Sequence, residues 1–401
     1  MSHGGWDVAR GRRAAARLES APVRVLFTFM GGPGHLQPLL PIARAARDAG
    51  HVVAVAGRPS VLPAADALGL GVFATAADRE RAPERTPLLP VDLDKEARDL
   101  RVGFGLHLAR EHAPAVGELC EKWAPDVLVC DEVDFGSLIA AERLGLPHAS
   151  VVVLLTGSML RRAGLEGSLD TVRGEHGLPP DPGLEMLRRY LVLSPVPPSL
   201  RDPALPGLAT LHAFRPGPAP TVAATDPPTV YFTLGTEFNL ESGDLFERVL
   251  AGLGELPVQV VATVGSELDP AALGTPPQNV RVERYVPQSE ILPQASAVVC
   301  HGGSGSVLGA LAHGLPLVLL PMGADQPQNA ERCAALGAGR VLDVVAATPD
   351  DVRDAVSAVL SDPSYRVAAE RLQDELAALP GPEHAVALVE RLAAERRPIV
   401  A

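Results

Sequence analysis

From Val23 onward the apolar residues of this chain fall into two alternating patterns. Short unbroken runs rich in β-branched and aromatic residues predict strands buried on both faces, and longer stretches with apolar positions three and four apart predict helices. VRVLFTFM (Val23 to Met30) is the first such run, GGPGH is its turn, LQPLLPIARAARDAGH carries helical spacing to Gly50, and HVVAVAG begins a second strand. The βαβ opening recurs in PDVLVCD (Pro125 to Asp131) and HASVVVLL (His148 to Leu155), with the helical SLIAAERLG between them. Between Leu193 and Pro228 the chain turns irregular and proline-rich, and the alternation restarts with TVYFTLGT, VQVVATVG, VRVERYVP, AVVCHGG and LPLVLLP. The pattern predicts an α/β protein of two Rossmann-like domains facing an interdomain cleft. The expected division is a loose N-terminal arm over residues 1–22, a first domain over 23–205, a proline-rich linker over 206–228, a second domain over 229–385, and a final helix over 386–401 that packs back on the first domain.

Open parallel sheets bind ligands beyond the carboxyl ends of their strands, so the turns after Met30, Asp131, Leu234 and Cys300 are expected to look into one cleft. The most informative stretch is CHGGSGSVLGALAHGLPLVLLPMGADQ, from Cys300 to Gln326. It reads as a strand end, a glycine-rich turn and a helix start around one histidine. The first N–H groups of a helix have no intrahelical partner, and they add to a macrodipole worth roughly half a positive charge. Gly302, Gly303 and Gly305 allow close backbone approach, and His301, Ser304 and Ser306 add side-chain donors, so the expected ligand is a phosphorylated one.

Composition narrows the classes. A chain of 401 residues exceeds one comfortable core, and its 47% apolar content suits well-formed ones. The net charge of −13 argues against a nucleic-acid or anionic-membrane binder, so an anionic ligand has to be held by local donors. The four cysteines show no CxxC spacing, no cluster of metal ligands is evident, and no apolar run spans a bilayer; a cytoplasmic protein is expected, monomeric or homodimeric. The first turn, Gly32-Pro33-Gly34-His35-Leu36-Gln37, lacks the third glycine of the dinucleotide fingerprint, and the second strand ends in Gly57-Arg58 without a ribose-binding acid. A hydrolase reading fails on the absence of a GxSxG nucleophile elbow.

Taken together, GGPGHLQPLLPIARAARDAGH, LVCDEVDFG, VYFTLGT, YVPQSEIL and HGGSGSVLGALAHGLPLVLLPMGADQPQNAERCAALGAG resemble the nucleotide-sugar-dependent glycosyltransferases of the GT-B type, in particular the bacterial natural-product and macrolide enzymes. The resemblance runs from Val23 to about Leu379. It implies an inverting, metal-independent transfer of a sugar, without cofactor, from a nucleotide diphosphate to a small lipophilic aglycone. It places Thr236 at the diphosphate, and the Tyr285, Val286 and Gln288 segment at the nucleobase. His301 falls at a phosphate oxygen, the turn of Gly303, Ser304, Gly305 and Ser306 at the diphosphate, and Asp325 and Gln326 at the sugar hydroxyls. Where plant-like members carry an acid for the ribose hydroxyls this chain has Gly309, which points to a dTDP-sugar, a deoxysugar donor whose ribose lacks the 2′-hydroxyl.

Transfer to a hydroxyl also needs a base with a pKa near neutrality, a role histidine fills. His35 opens the first helix at a strand's carboxyl end, and the resemblance maps the general base onto it. Asp131 matches the partner aspartate, and Asp134 is the fallback. The aglycone site is expected among the loops of the first half, with Phe104, Leu108, Leu155 and Met159 as apolar candidates. Two other readings stay open: a nucleotide-sugar epimerase of the same fold, and a catalytically silent sugar-nucleotide-binding or auxiliary protein.

Overall fold

The computed structural model describes residues 21–78, 84–205, 207–217, 223 and 225–401. Most of the expected N-terminal arm, residues 1–20, lies outside them, as do parts of the expected linker. The first half is built on β1 (Arg24–Thr28), β2 (Val52–Gly57), β3 (Gly71–Ala74), β4 (Val127–Asp131), β5 (His148–Val151), β6 (Leu191–Ser194) and β7 (Leu211–Ala213). These form one sheet in the order β3-β2-β1-β4-β5-β6-β7, and every pairing is parallel. The second half holds β8 (Thr229–Thr233), β9 (Gln259–Thr263), β10 (Val280–Glu283), β11 (Ala297–Cys300), β12 (Leu317–Leu319) and β13 (Gly339–Val341), again parallel, in the order β10-β9-β8-β11-β12-β13. In both sheets the order reverses beside the first strand, so β1/β4 and β8/β11 form the crevices where such sheets bind ligands.

The unbroken apolar runs have a direct cause: helices cover both faces, so β4, β8 and β11 are buried along their whole length. Two buried clusters lie on opposite faces of the first sheet, around Phe27 and Leu39 on one side and Leu128 and Leu138 on the other. A third cluster mixes Val152, Leu155 and Leu200 of the first half with Val307, Leu311 and Leu319 of the second. The two sheets therefore share apolar packing at the cleft's base.

Two sequence expectations change. Leu211–Ala213 is a strand of the first sheet, paired with β6 through Val192, Leu193 and Ser194, although it falls inside the expected linker. The reason is local: Gly207 to Arg215 is free of proline, and Leu211 and Ala213 complete an edge. Met159 and Leu155, proposed for an aglycone pocket, are 8% and 1% exposed and belong to core clusters.

The last helix, Pro382–Glu395, follows the second half in sequence but buries Ala385, Val386, Leu388, Val389 and Leu392 in the first half's core. His51 and Glu390 meet at its surface at 2.8 Å. The chain passes between halves after β7, and again near Pro380, and Arg215 joins the two crossings. Its N–H reaches the Pro380 carbonyl at 2.8 Å, and its guanidinium reaches those of Ala377 and Leu379 at 2.9 and 3.1 Å.

Candidate active site

His35 stands on a single helical turn, Pro33–Leu36, directly beyond β1. Pro33 supplies a preset φ at the first helical position, and Gly31 allows the ring to lie against the backbone. A Cβ at Gly31 would stand 2.2 Å from the ring's Cδ2, and φ there is +151°. The Nδ1 atom is 3.5 Å from Asp131 Oδ2. That is a charge contact at the outer edge of hydrogen bonding, and Nδ1 has no hydrogen-bond partner among the described residues. Asp131, fully buried at the end of β4, is fixed by the backbone N–H groups of Met30 (2.9 Å) and Val133 (2.8 Å). Burial alone would lower the His35 pKa. The carboxylates of Asp131, and then of Glu237 and Asp325 from the opposite half, outweigh it and hold the pKa above the ordinary value.

Asp134, the fallback partner, is occupied elsewhere. It caps the helix Phe135–Arg143 by accepting from the Ser137 N–H and hydroxyl (3.2 and 2.6 Å), and it pairs with Nδ1 of the fully buried His112 at 2.8 Å. Between the two aspartates, Glu132 Oε1 accepts the N–H groups of Val153 and Leu154 at 2.8 and 2.6 Å. Burial pushes the Glu132 carboxyl up to about 7.

Across the cleft, β11 ends at Cys300, His301 is the next residue, and the helix Ser304–Ala312 follows Gly302 and Gly303. Its first intrahelical bond runs from the Val307 N–H to the Gly303 carbonyl, 3.0 Å, so the N–H groups of Ser304, Gly305 and Ser306 precede it. The His301 ring lies between two glycines: a Cβ at Gly235 would meet it at 2.5 Å, and one at Gly303 at 2.3 Å. Burial lowers the His301 pKa to about 4, so the ring is neutral near pH 7, and its buried Nδ1 has no hydrogen-bond partner among the described residues. Thr236 and Glu237 follow at the exposed end of β8, and a Cβ at Gly32 would stand 2.0 Å from Glu237 Oε1. The two halves thus approach closely beside His35.

Ser304 and Asp325 are tied together. The Ser304 hydroxyl donates to Asp325 Oδ2 at 2.8 Å and accepts the Leu155 N–H at 2.9 Å, and Asn329 Nδ2 donates to both Asp325 Oδ2 and the Gly302 carbonyl at 2.9 Å. Burial raises the Asp325 pKa against these hydrogen bonds. Gln326 turns inward, its Oε1 accepting the N–H groups of Met322 and Gly323 at 2.8 and 3.2 Å. Tyr285, expected at the nucleobase, is 72% exposed, an open aromatic platform, and Val286 is partly buried beside it. Gln288 lies over Gly309, where a Cβ would sit 2.8 Å from its Oε1, and its Nε2 reaches Ser306 Oγ at 3.4 Å.

Of the aglycone candidates, Phe104 stacks on the His35 ring (centroids 5.7 Å apart, planes 23° apart) and Leu108 is half-buried four residues on. Both lie on a ten-residue π-helix, Asp99–Leu108. Beyond the predicted set, Glu237, Glu132 and Asn329 take part, and Leu155, expected as an apolar candidate, takes part through its main-chain N–H to Ser304. No spacing rule marks a buried acid between two aspartates or a main-chain N–H that crosses a cleft.

The comparisons with known proteins agree with this geometry. Residues 247–392 match the family described as "Erythromycin biosynthesis protein CIII-like, C-terminal domain". The 3-alpha-mycarosylerythronolide B desosaminyl transferase of Saccharopolyspora erythraea is 30% identical over 421 aligned residues, covering 94% of this chain and 99% of that one. Among solved structures, the glycosyltransferase VinC in complex with dTDP superposes with a TM-score of 0.72 at 26% identity, over 93% of this chain and 100% of that one. The spinosyn rhamnosyltransferase SpnG complexed with thymidine diphosphate does so with 0.74 at 27% identity, over 92% and 100%. With its two parallel sheets, cleft and end-to-end similarity, this chain belongs to the GT-B nucleotide-sugar-dependent glycosyltransferases of the bacterial natural-product and macrolide type.

Proposed function

We propose that this protein moves a deoxysugar from a thymidine diphosphate donor to a hydroxyl of a small lipophilic natural product, inverting the anomeric centre with His35 as general base. The observation that carries the reading is the His35–Asp131 contact at 3.5 Å, placed opposite the His301 and Ser304–Ser306 cradle. The acceptor hydroxyl gives its proton to His35 Nε2 while its oxygen attacks the anomeric carbon. The bond from that carbon to the phosphate oxygen breaks on the opposite face, so one displacement inverts the centre. Asp131, held by two backbone N–H groups, stabilises the imidazolium that forms. The departing diphosphate gains charge beside the free N–H groups of the first helical turn and the neutral His301, donors already in place before reaction.

Preference for dTDP is supported by Gly309, which has no side chain to accept from a ribose hydroxyl where plant-like members carry an acid, and by two relatives bound to thymidine diphosphate. Deoxysugar transfer is supported by the desosaminyl transferase. Calorimetry with dTDP and UDP tests the donor: the wild type is expected to prefer dTDP, and Gly309→Glu to move the ratio about tenfold toward UDP, the worth of one charge-assisted hydrogen bond. A wild-type preference for UDP would overturn the assignment. His35→Ala is expected to lose about 10²- to 10⁴-fold in transfer with dTDP binding unchanged.

A further inference from the structure

Glu96 sits on the helix Leu93–Arg98 of the first half, yet its Oε2 accepts the backbone N–H of Ala324 in the second half at 2.8 Å. Ala324 is the apex of the turn between β12 and the helix Gln326–Ala335, with φ of +53°, a left-handed conformation that a residue with a Cβ rarely adopts. The neighbouring N–H groups are held from within the second half. Gln326 Oε1 takes those of Met322 and Gly323, and the Gly323 carbonyl takes that of Gln326 at 3.1 Å. Ala324 is held from across the cleft. Gly323 leaves room for the contact: a Cβ there would stand 3.1 Å from Glu96 Oε1 and 3.0 Å from Phe238 Cε1. The next residue is Asp325.

The same rod of helix continues from Arg98 into the π-helix Asp99–Leu108, whose Phe104 stacks on His35. One element of the first half therefore touches both the proposed base and the turn that precedes Asp325. Long π-helical stretches are rare and concentrate at functional sites, consistent with a segment shaped to make two distant contacts.

We propose that Glu96 is a positioning residue: in the closed cleft it sets the Gly323–Gln326 turn in the form that receives the donor's sugar, so that sugar recognition depends on closure. This rests on the reading of the cleft as a sugar-nucleotide site. A nucleoside diphosphate without sugar does not reach the turn and is indifferent to Glu96. Glutamine presents a carbonyl oxygen at the same reach and substitutes for the carboxylate, whereas aspartate falls short by one methylene.

Calorimetry on the full chain separates the outcomes, with dTDP, dTDP-glucose and UDP-glucose as probes. Glu96→Ala is expected to weaken dTDP-glucose about tenfold while dTDP changes less than about twofold. Glu96→Gln is expected to stay within about threefold of wild type for both, and Glu96→Asp to lose at least about threefold for dTDP-glucose alone, which preserves the test if the alanine variant fails to fold. Equal losses for dTDP and dTDP-glucose, or no loss for either, would overturn the proposal. Failure of the wild type to bind either sugar nucleotide would instead remove the sugar-nucleotide reading itself, and this inference with it.

Discussion

At the scale of single residues, His35 shows how far pattern reading reaches. Its place beyond the first strand and the aspartate ending the fourth were legible from two short motifs. The field around it was not, because Glu237 and Asp325 arrive from the other half and act through space. That field has a kinetic consequence. A base accepts a proton only when neutral, so with His35 as the proposed base transfer is expected to rise as pH passes upward through its pKa, which is raised above the ordinary value. Asp131→Asn removes the largest influence raising that pKa and leaves the opposing effect of burial. The acidic limb of kcat/KM is therefore expected to move to lower pH while the plateau rate falls. A limb unmoved in the variant would show that another group titrates.

At the scale of elements, the strand runs and glycine turns were legible because parallel strands buried on both faces need unbroken apolar sequence. The edge strand Leu211–Ala213 was hidden by the prolines on either side of its proline-free stretch, and the π-helix Asp99–Leu108 by apolar spacing that does not distinguish it from an α-helix. The turn from Asp131 to Asp134 differs from expectation in content rather than position, because its three acids act separately. Asp131 faces His35, Glu132 ties down the loop after β5, and Asp134 caps a helix. Glu132 carries a cost. Burial raises its folded pKa from 4.5 to about 7, so its contribution is fully present below about 4.5 and is lost as pH rises through about 7. Glu132→Gln keeps the carbonyl acceptor without the charge. Its thermal stability relative to wild type is expected to improve between pH 5 and pH 8, by up to about 3 kcal/mol at the upper end. A difference independent of pH would count against an ionising Glu132.

At the scale of the whole molecule, the two sheets are joined by more than a linker. The bidentate Arg85–Glu247 pair (2.7 and 2.9 Å) and the bond from the Thr86 N–H to the Leu240 carbonyl (2.7 Å) hold one rim, and the mixed apolar cluster holds the base. The final helix completes the first core. Leu392→Ala is expected to destabilise the first half by about 2–5 kcal/mol, the range for a buried leucine truncated in a packed core. Urea unfolding followed by Trp123, a residue of the first half, reads it directly, and a loss below about 1 kcal/mol would show that the helix adds little.

The double crossing tied by Arg215 also bears on how enzymes of this build can be recombined. A chimera joined once, at the linker, takes its last helix from the parent of the second half and seats a foreign helix on the first half's core. Grafting a different second half onto this first half therefore calls for two junctions, one near Arg215 and one near Pro380, so that the final twenty or so residues stay with the half whose interior they fill.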